Sequence, residues 1–303
     1  MDILACCPRL QIIVQPTFYA SKVGDLGYWF NPIPAEQPQI NDSDVVLTSL
    51  KFLHWSTYGL GGEAIKASLS LLSNIILCSP NLCYLSVSWP TSIREPILKD
   101  VDRTSHPVLL PSLKTLNFER NSGLSHRGIQ NGDLPNLIHL TLNPVSLFNV
   151  FSVRSPLHMV GPQLCTVELH KSVRGTRLDV NPFFKLCSKL QEFAYHVGFP
   201  RLRPPHLLQH SELKTVHMQI ESIDHLTALS GEQYEMYDGV DLSWTMLDEA
   251  FAFFSAYAFP ALQLIILHGD WDSVVHDGQF RSLRQLVLDR GCSLEYPDGT
   301  PVR

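Results

Sequence analysis

The sequence predicts an α/β solenoid, in which irregular repeats build a curved parallel sheet with helices on its convex side. Three observations predict this fold: a short apolar phrase recurs nine times, the phrases follow one another at similar intervals, and helical patterns lie between several of them. The 303-residue chain is 45% hydrophobic and 17% charged, which suits a chain that builds a sizeable core.

The recurrent phrase begins with small residues or proline, which interrupt the preceding element, and continues as Leu-x-x-apolar-x-apolar, as in Pro111 to Phe118. Successive phrases are separated by 40, 32, 31, 24, 27, 26, 23 and 49 residues. The middle intervals lie at or slightly above the leucine-rich-repeat period of roughly 20–29 residues. The first interval holds an insertion, and the last is about two periods with one repeat degenerate or replaced. The first leucine of each phrase is its anchor: Leu10, Leu50, Leu82, Leu113, Leu137, Leu164, Leu190, Leu213 and Leu262.

Within each phrase the apolar residues alternate, which predicts a strand with one buried and one solvated face. Helical patterns occupy Glu63 to Leu77, Pro182 to Cys187 and Leu242 to Tyr257. A strand–helix unit cannot bury its apolar face alone, so neighbouring units are expected to stack. A doubly wound sheet also alternates strands with helices, but its strands read as continuous apolar runs, so the fixed phrase favours the solenoid.

The intervals predict one leucine-rich-repeat domain over residues 1–303 with three irregular segments. Residues 17–44 form a Pro-rich insertion with an aromatic anchor at Tyr28 to Phe30, and residues 230–240 form an acidic loop. Residues 277–303 are expected to cap the array, with a helix over Phe280 to Arg290 that ends at Gly291.

Charge and targeting signals narrow the function classes. The net charge is −6 and the 23 Lys and Arg residues are scattered, so we expect neither a nucleic-acid nor a membrane partner. The longest apolar stretch, Ala67 to Val87, is too interrupted to span a bilayer. Seven cysteines without framework spacing and no secretory signal indicate a cytoplasmic or nuclear protein.

The C-terminal residues, Arg281 to Tyr296 followed by Asp298 to Val302, resemble the tail of fungal (basidiomycete-type) F-box proteins that carry leucine-rich repeats. The phrases Leu110 to Leu116 and Phe259 to Leu262 are similar to that family too. The resemblance implies that the repeats select a substrate for a ubiquitin ligase, while an N-terminal F-box binds the adaptor of a cullin ligase. No F-box-like Leu-Pro-x-Glu stretch occurs and the chain begins inside a repeat, so an adaptor is expected only if an F-box lies upstream. The alternative is a standalone repeat adaptor that has no link to a ligase.

The motifs that could carry catalysis or bind a cofactor all have simpler interpretations. Gly59 to Ala64 mimics a dinucleotide fingerprint, but no acidic residue follows between Ile65 and Arg94 to hold a ribose. His206 and His210 are two ligands at most, and a repeat helix with polar positions explains them better. The cysteines are expected to be core residues, including Cys6, Cys7, Cys165 and Cys187 at repeat positions that small apolar side chains usually fill.

Five His and Asp residues between the end of the last repeat strand and the start of the last helix form the densest group of metal-ligand side chains. Side chains of these types would suit a divalent cation. We favour exposed rim residues with Asp277 as a helix cap. No nucleophile elbow, phosphate loop or His-Glu-x-x-His motif occurs, so we predict a protein without enzymatic activity, metal or cofactor. The less favoured alternative is a metal- or nucleotide-dependent enzyme on a doubly wound sheet. The members of this group are His268, Asp270, Asp272, His276 and Asp277.

Positions three, five and seven of each phrase are expected to point to the concave face. Six of the 13 histidines fall on these 27 positions of the 303, where an even spread gives about one. This favours a surface that binds a polar peptide segment, although histidine also suits any half-solvated strand surface. His170 and His196 are expected to be strand neighbours whose charging near pH 6.5 alters affinity. The candidate binding residues are His54, Tyr84, Glu119, His139, Glu168, His170, Glu192, His196, His217 and His268.

The first strands differ from the middle ones. Ile12, Val14, Phe52 and Tyr84 are expected to form an exposed apolar patch at the N-terminal end of the array. Repeat arrays need polar caps for solubility, so such a patch indicates a missing neighbour: an upstream module, the Tyr28 to Phe30 loop, or another chain.

Overall fold

Each recurrent phrase folds as a short strand. The computed structural model shows ten strands among the residues that it describes, nine at the phrases and a tenth near the C-terminal end. In most strands, buried side chains alternate with more exposed ones, as the sequence predicts. The exceptions are Ile12–Val14, which has no buried residue, and Tyr84–Ser88, in which the last four residues are all buried. The described residues are 9–15, 46–57, 68, 71–72, 74–88, 110–119, 134–142, 157–169, 180–197, 209–220, 242–254 and 257–302.

Contacts within the chain define two compact units, Met1–Leu137 and Ile138–Arg303. In the first unit, neighbouring strands are parallel and follow chain order. Their register places Leu53, Leu85 and Leu116 side by side in one buried column. The strands of this unit are β1 (Ile12–Val14), β2 (Phe52–Ser56), β3 (Tyr84–Ser88) and β4 (Thr115–Glu119).

The second unit contains six parallel strands, again paired in chain order. A doubly wound sheet reverses its strand order at a switch point, and neither unit contains such a reversal among its described strands. The predicted α/β class with parallel strands is therefore confirmed. The strands are β5 (His139–Leu142), β6 (Thr166–Leu169), β7 (Glu192–His196), β8 (Thr215–Ile220), β9 (Leu264–Gly269) and β10 (Ser293–Glu295).

The anchor leucines lie in the core at the turn before each strand. Eight of the nine are buried and Leu10 is half-buried. At seven anchors the backbone N–H donates to the carbonyl oxygen three residues earlier, at 3.0–3.3 Å. At Leu213 the acceptor is instead the Nδ1 atom of His210, at 3.2 Å. The hydrogen-bonded turn explains why the phrase begins with small residues or proline. The buried position at the end of the turn explains why the next residue is leucine.

The Pro-Asn-Leu form of the phrase has its own physical reason in the first unit. The side-chain amide of Asn81 donates to the carbonyl oxygen of Thr48 at 2.8 Å. The amide of Asn136 donates in the same way to Pro111 at 2.6 Å. Each asparagine therefore bonds its own turn to the turn of the preceding repeat.

Helices cover the buried face of the sheet in the second unit. Helix α1 (Asn181–Leu186) places Phe184 against Phe193 of β7, with ring centroids 4.9 Å apart. Helix α2 (Leu242–Phe253) leads into Phe254, which lies 5.7 Å from the ring of Tyr195. The helical patterns predicted at these two places are confirmed, although α2 ends before Tyr257. In the first unit, residues 68, 71–72 and 74–77 of the third pattern are helical.

The C-terminal residues form two helices and the last strand. Helix α3 (Asp272–Val275) precedes helix α4 (Gly278–Asp289), and the Asp277 carboxylate accepts from the Gln279 backbone N–H at 2.7 Å. The predicted helix and its Asp277 cap are therefore confirmed. Gly291 has a φ of +78°, the left-handed conformation that ends helices and that glycine adopts without strain.

The long interval before Leu262 contains a replaced repeat rather than a degenerate one, which are the two alternatives that the sequence left open. Strand β8 pairs directly with β9 over six rungs, from Thr215↔Leu264 to Ile220↔Gly269, so no degenerate strand lies between them. At the last rung the two chains approach closely, because Gly269 has a φ of +94° and a Cβ there would lie 1.8 Å from the Ile220 carbonyl oxygen. The extra residues form a connection that contains α2.

The structure does not test three of the sequence predictions. The Pro-rich insertion at 17–44 and the acidic loop at 230–240 lie outside the described residues. The assignment of residues 1–303 to one domain stays a prediction. Among the described residues, no helix combines the length and the apolarity needed to cross a membrane.

Candidate protein-binding face

In the second unit, the sheet face opposite α1 and α2 carries half-buried and exposed side chains on every strand from β5 to β9. Neighbouring strands lie about 4.8 Å apart, so residues in register stand side by side in columns. We call this surface the open face. Its residues are His139, Thr141, Thr166, Glu168, Glu192, Ala194, His196, Thr215, His217, Gln219, Leu264, Ile266 and His268.

The open face contains three columns that cross the strands. The first consists of His139, Thr166, Glu192, Thr215 and Leu264. The second consists of Thr141, Glu168, Ala194, His217 and Ile266. The third contains His196, Gln219 and His268. Carboxylates, imidazoles and aliphatic groups are thus grouped across strands that are far apart in sequence.

Six of the ten predicted binding residues lie on the open face: His139, Glu168, Glu192, His196, His217 and His268. His54 and Tyr84 lie on β2 and β3 of the first unit. Glu119 is the last residue of β4, and its side chain lies outside the described part. His170 is also outside it, so the predicted pairing of His170 with His196 stays a prediction.

His217 and His268 form a contact that the sequence did not predict. Nδ1 of His217 lies 3.0 Å from Nε2 of His268, a hydrogen bond in which one ring donates and the other accepts. Their ring centroids are 5.2 Å apart. Burial lowers the pKa of His217, and His268 lowers it further, while Glu192 and Glu168 act in the opposite direction. The accepting ring of the pair must be unprotonated at the bonded nitrogen.

The two carboxylates that act on His217 lie on its β7 side. Glu168 on β6 and His217 on β8 both share the column of Ala194 on β7, so they stand about 10 Å apart with a methyl group between them. Glu192 is two residues before Ala194 on β7 and His196 is two residues after it, so both lie on the same face. The small side chain of Ala194 therefore makes the floor of a recess between acidic and imidazole groups, which we call the Ala194 recess.

The corresponding face of the first unit has a different chemistry. Ile12 is 60% exposed and Val14 is 55% exposed, as predicted for the apolar patch. Phe52 and Tyr84 are half-buried, and their rings stack with centroids 4.2 Å apart and planes 5° from parallel. Beside them, Nδ1 of His54 lies 3.0 Å from the Ser86 hydroxyl.

The ligand-like group at the end of β9 is not assembled as a cation site. His268 is turned to His217, whereas Asp270, Asp272, His276 and Asp277 are exposed. Within the part of the chain that the structure describes, no three His, Cys, Asp or Glu side chains are placed to hold one metal ion. This arrangement fits the interpretation of these residues as exposed polar side chains at the edge of the sheet, with Asp277 as the helix cap.

His210 is a buried structural residue. Its Nε2–H donates to the Cys187 carbonyl oxygen at 2.9 Å, and its Nδ1 accepts from the Leu213 N–H at 3.2 Å. A carbonyl can only accept and an N–H can only donate, so these partners fix the tautomer. The residue lies in a turn rather than in the helix that the sequence analysis favoured, while His206 lies outside the described residues.

The cysteines match the core interpretation only in part. Cys187 is buried, and burial raises the pKa of its thiol to about 12. Cys78, Cys83 and Cys165 are only half-buried, contrary to that interpretation, and all five described cysteines are free thiols. Cys6, Cys7 and the glycine-rich Gly59 to Ala64 segment lie outside the described residues.

Ala194 and Gln219 occupy positions five and seven of their phrases, so the sequence predicts both on this face without indicating a role for either. The alternation of apolar residues already assigned both to the solvated side of their strands. The alternation does not show that β8 pairs with β9, and this pairing brings His268 beside Gln219 and next to His217.

No protein-family profile matches the chain, and no curated protein matches it significantly.

Proposed function

We propose that this chain is a leucine-rich-repeat scaffold for protein recognition, and that its open face binds a segment of another protein. The observation that carries the proposal is the two-sided register of the second unit. One side of β5–β9 is a continuous buried core, and the other presents polar and aliphatic side chains in columns.

The chemistry of the open face supports a protein ligand. Extended peptides are recognised through a mixture of hydrogen bonds, charges and small apolar contacts, and the three columns offer all of these. Helices α1 and α2 pack on the other side of the sheet in this unit, so neither of them covers the open face. The recurring anchor turn and the repeat interval support the assignment to leucine-rich repeats.

The resemblance to fungal F-box proteins gives the proposal a more specific form. In that form, the open face is the substrate-recognition surface of a ubiquitin-ligase receptor, and the adaptor of a cullin ligase is held by an F-box in an upstream segment. A repeat adaptor with no link to a ligase would use the same face.

Affinity purification with quantitative mass spectrometry tests the proposal in the native host. The test variant carries Thr166→Arg and Gln219→Arg, two bulky charges on the open face. The matched control carries Gln279→Arg and Ser282→Arg at exposed positions of α4. Proteins that bind the open face should be recovered with the native chain and with the control but lost with the test variant.

The same experiment separates the two forms of the proposal. Recovery of a cullin adaptor with all three chains would support the ligase receptor, because the adaptor binds elsewhere. Partners that depend on the open face without any cullin adaptor would support the standalone scaffold. If no recovered protein depends on the open-face residues, the proposal is wrong.

A further inference from the structure

We infer that the Ala194 recess holds a basic side chain of the partner, with an aliphatic partner residue three positions away resting on Ile266 and Leu264. This inference rests on the proposed function and names the chemistry of the segment that the open face takes. The recess, its charges and the distance to the aliphatic pair carry it.

The surface around Ala194 is shaped to take one partner side chain. Ala194 is flanked in register by Glu168 and His217, and along its own strand by Glu192 and His196. All four flanking side chains are longer than a methyl group, so the surface is lowest at Ala194. Glu168 and His217 stand about 10 Å apart across this position, which leaves room for the head of one lysine or arginine side chain.

The charges around Ala194 favour a basic partner group. Glu168 and Glu192 both act electrostatically on His217 from the β7 side, so both carboxylates are near the recess. None of the open-face residues from β5 to β9 is a lysine or an arginine. A basic partner group would therefore meet two carboxylates and no repelling lysine or arginine of this face.

The distance from Ala194 to the aliphatic side chains of β9 sets the spacing of the two partner residues. Ile266 lies two strands from Ala194 in the same column, and Leu264 lies beside it on β9. Two strand spacings are about 10 Å. Three residues of a polyproline II segment rise about 9 Å and return the side chain to the same side of the segment, whereas a β-extended segment would turn its third neighbour away from the sheet. A segment that crosses the strands with its basic residue at Ala194 therefore brings its third neighbour over Ile266 and Leu264, which are both half-buried.

Fluorescein-labelled nonapeptides with the native chain test the inference. Each peptide has a Gly/Ser background, one Arg, and one Leu placed one to five positions from it, and a second set has Gln in place of Arg. Fluorescence polarisation gives the Kd of each peptide. We expect the three-residue spacing to bind best, with an affinity about tenfold above the Gln set, and we expect this difference to shrink with salt.

Variants of the recess give the decisive comparison. Ala194→Phe should fill the recess and weaken the best Arg peptide by at least about tenfold, whereas Ala252→Phe at an exposed α2 position should not. Glu192→Gln should weaken the Arg peptide and leave the Gln peptide unchanged. The matched control is Glu212→Gln, because Glu212 is exposed in the turn before β8.

The outcomes separate this inference from the proposed function. If Ala194→Phe weakens binding while Arg and Gln peptides bind equally well, the face binds peptides but the basic anchor is wrong. If Ala194→Phe and Glu192→Gln bind every peptide as the native chain does, the recess is not a binding site and the inference fails. The proteins recovered in the arginine-variant experiment still decide the proposed function in that case.

Discussion

The substitution His210→Ala is expected to remove two buried hydrogen bonds at the turn before β8. The Cys187 carbonyl would lose its Nε2–H donor at 2.9 Å, and the Leu213 N–H would lose its Nδ1 acceptor at 3.2 Å. His210 is only 4% exposed, so both partners are left in the protein interior. Each unsatisfied buried group costs about 1–3 kcal/mol, and water entering the vacated polar space offsets part of this. We therefore expect a loss of about 2–4 kcal/mol.

Two conservative variants divide this loss between the two bonds. In His210→Asn, the amide oxygen can take the place of Nδ1 and accept from the Leu213 N–H. In His210→Gln, the amide nitrogen can take the place of Nε2 and donate to the Cys187 carbonyl oxygen. Each variant should therefore recover about half of the loss. His276→Ala is the control, since His276 is exposed and its removal should change stability by less than about 0.5 kcal/mol.

Urea unfolding followed by circular dichroism gives the free energy of unfolding of each variant. Repeat arrays can unfold in more than one step, so hydrogen exchange of the Leu213 amide supplies a local measure of the same bond. The reasoning is refuted if His210→Ala loses less than about 0.5 kcal/mol and the Leu213 amide keeps its native exchange rate.

Three further outcomes are expected. Tyr195→Phe should leave urea stability equal or higher, because the buried hydroxyl has no hydrogen-bond partner among the described residues; a loss above about 1 kcal/mol would contradict this. Gly269→Ala should lower the free energy of unfolding by more than about 3 kcal/mol, since its Cβ would lie 1.8 Å from the Ile220 carbonyl oxygen. An unchanged urea midpoint would contradict this. His268→Ala should raise the pKa of His217 in an NMR titration, and a constant or lower pKa would contradict the coupling.

The lowered pKa of His217 also sets the sign of one pH dependence. The unfolded chain takes up a proton on this residue near its ordinary pKa of 6.5, while the folded chain does so only at lower pH. Its contribution to stability is therefore complete above pH 6.5 and is lost as the pH falls through the folded-state pKa. His217→Gln should flatten this part of the stability–pH curve, and a curve identical to the native one would contradict the assignment.

The strands and their faces could be predicted from the sequence because a strand alternates sides at every residue. Leu53 and Trp55 face the core and His54 faces away, as the phrase beginning at Leu50 indicates. The same holds for Phe193 and Tyr195 against Ala194. Helix α4 was also predictable, since an aspartate at its start and a glycine after its end are strong local signals.

The contacts between side chains of different strands could not be predicted in the same way. The pairing of His217 with His268 depends on β8 lying next to β9, and the 49-residue interval between their anchors left open whether a degenerate repeat lies between them. The role of His210 depends on a side chain that replaces a backbone carbonyl in one turn, and no periodic pattern records such a replacement. The Ala194 recess likewise depends on Glu168 and His217, which flank Ala194 only because β6 and β8 pair with β7.

Site-specific photo-crosslinking is the most direct measurement of the central claim, that the open face binds a protein segment. A benzophenone amino acid is placed singly at Thr166 or Gln219 on the open face, and at Ser282 on α4 as the control. If the open face binds a protein segment, a co-purified partner is crosslinked from Thr166 and Gln219 and not from Ser282. Crosslinking of that partner from Ser282 alone, with none from either open-face position, would contradict it.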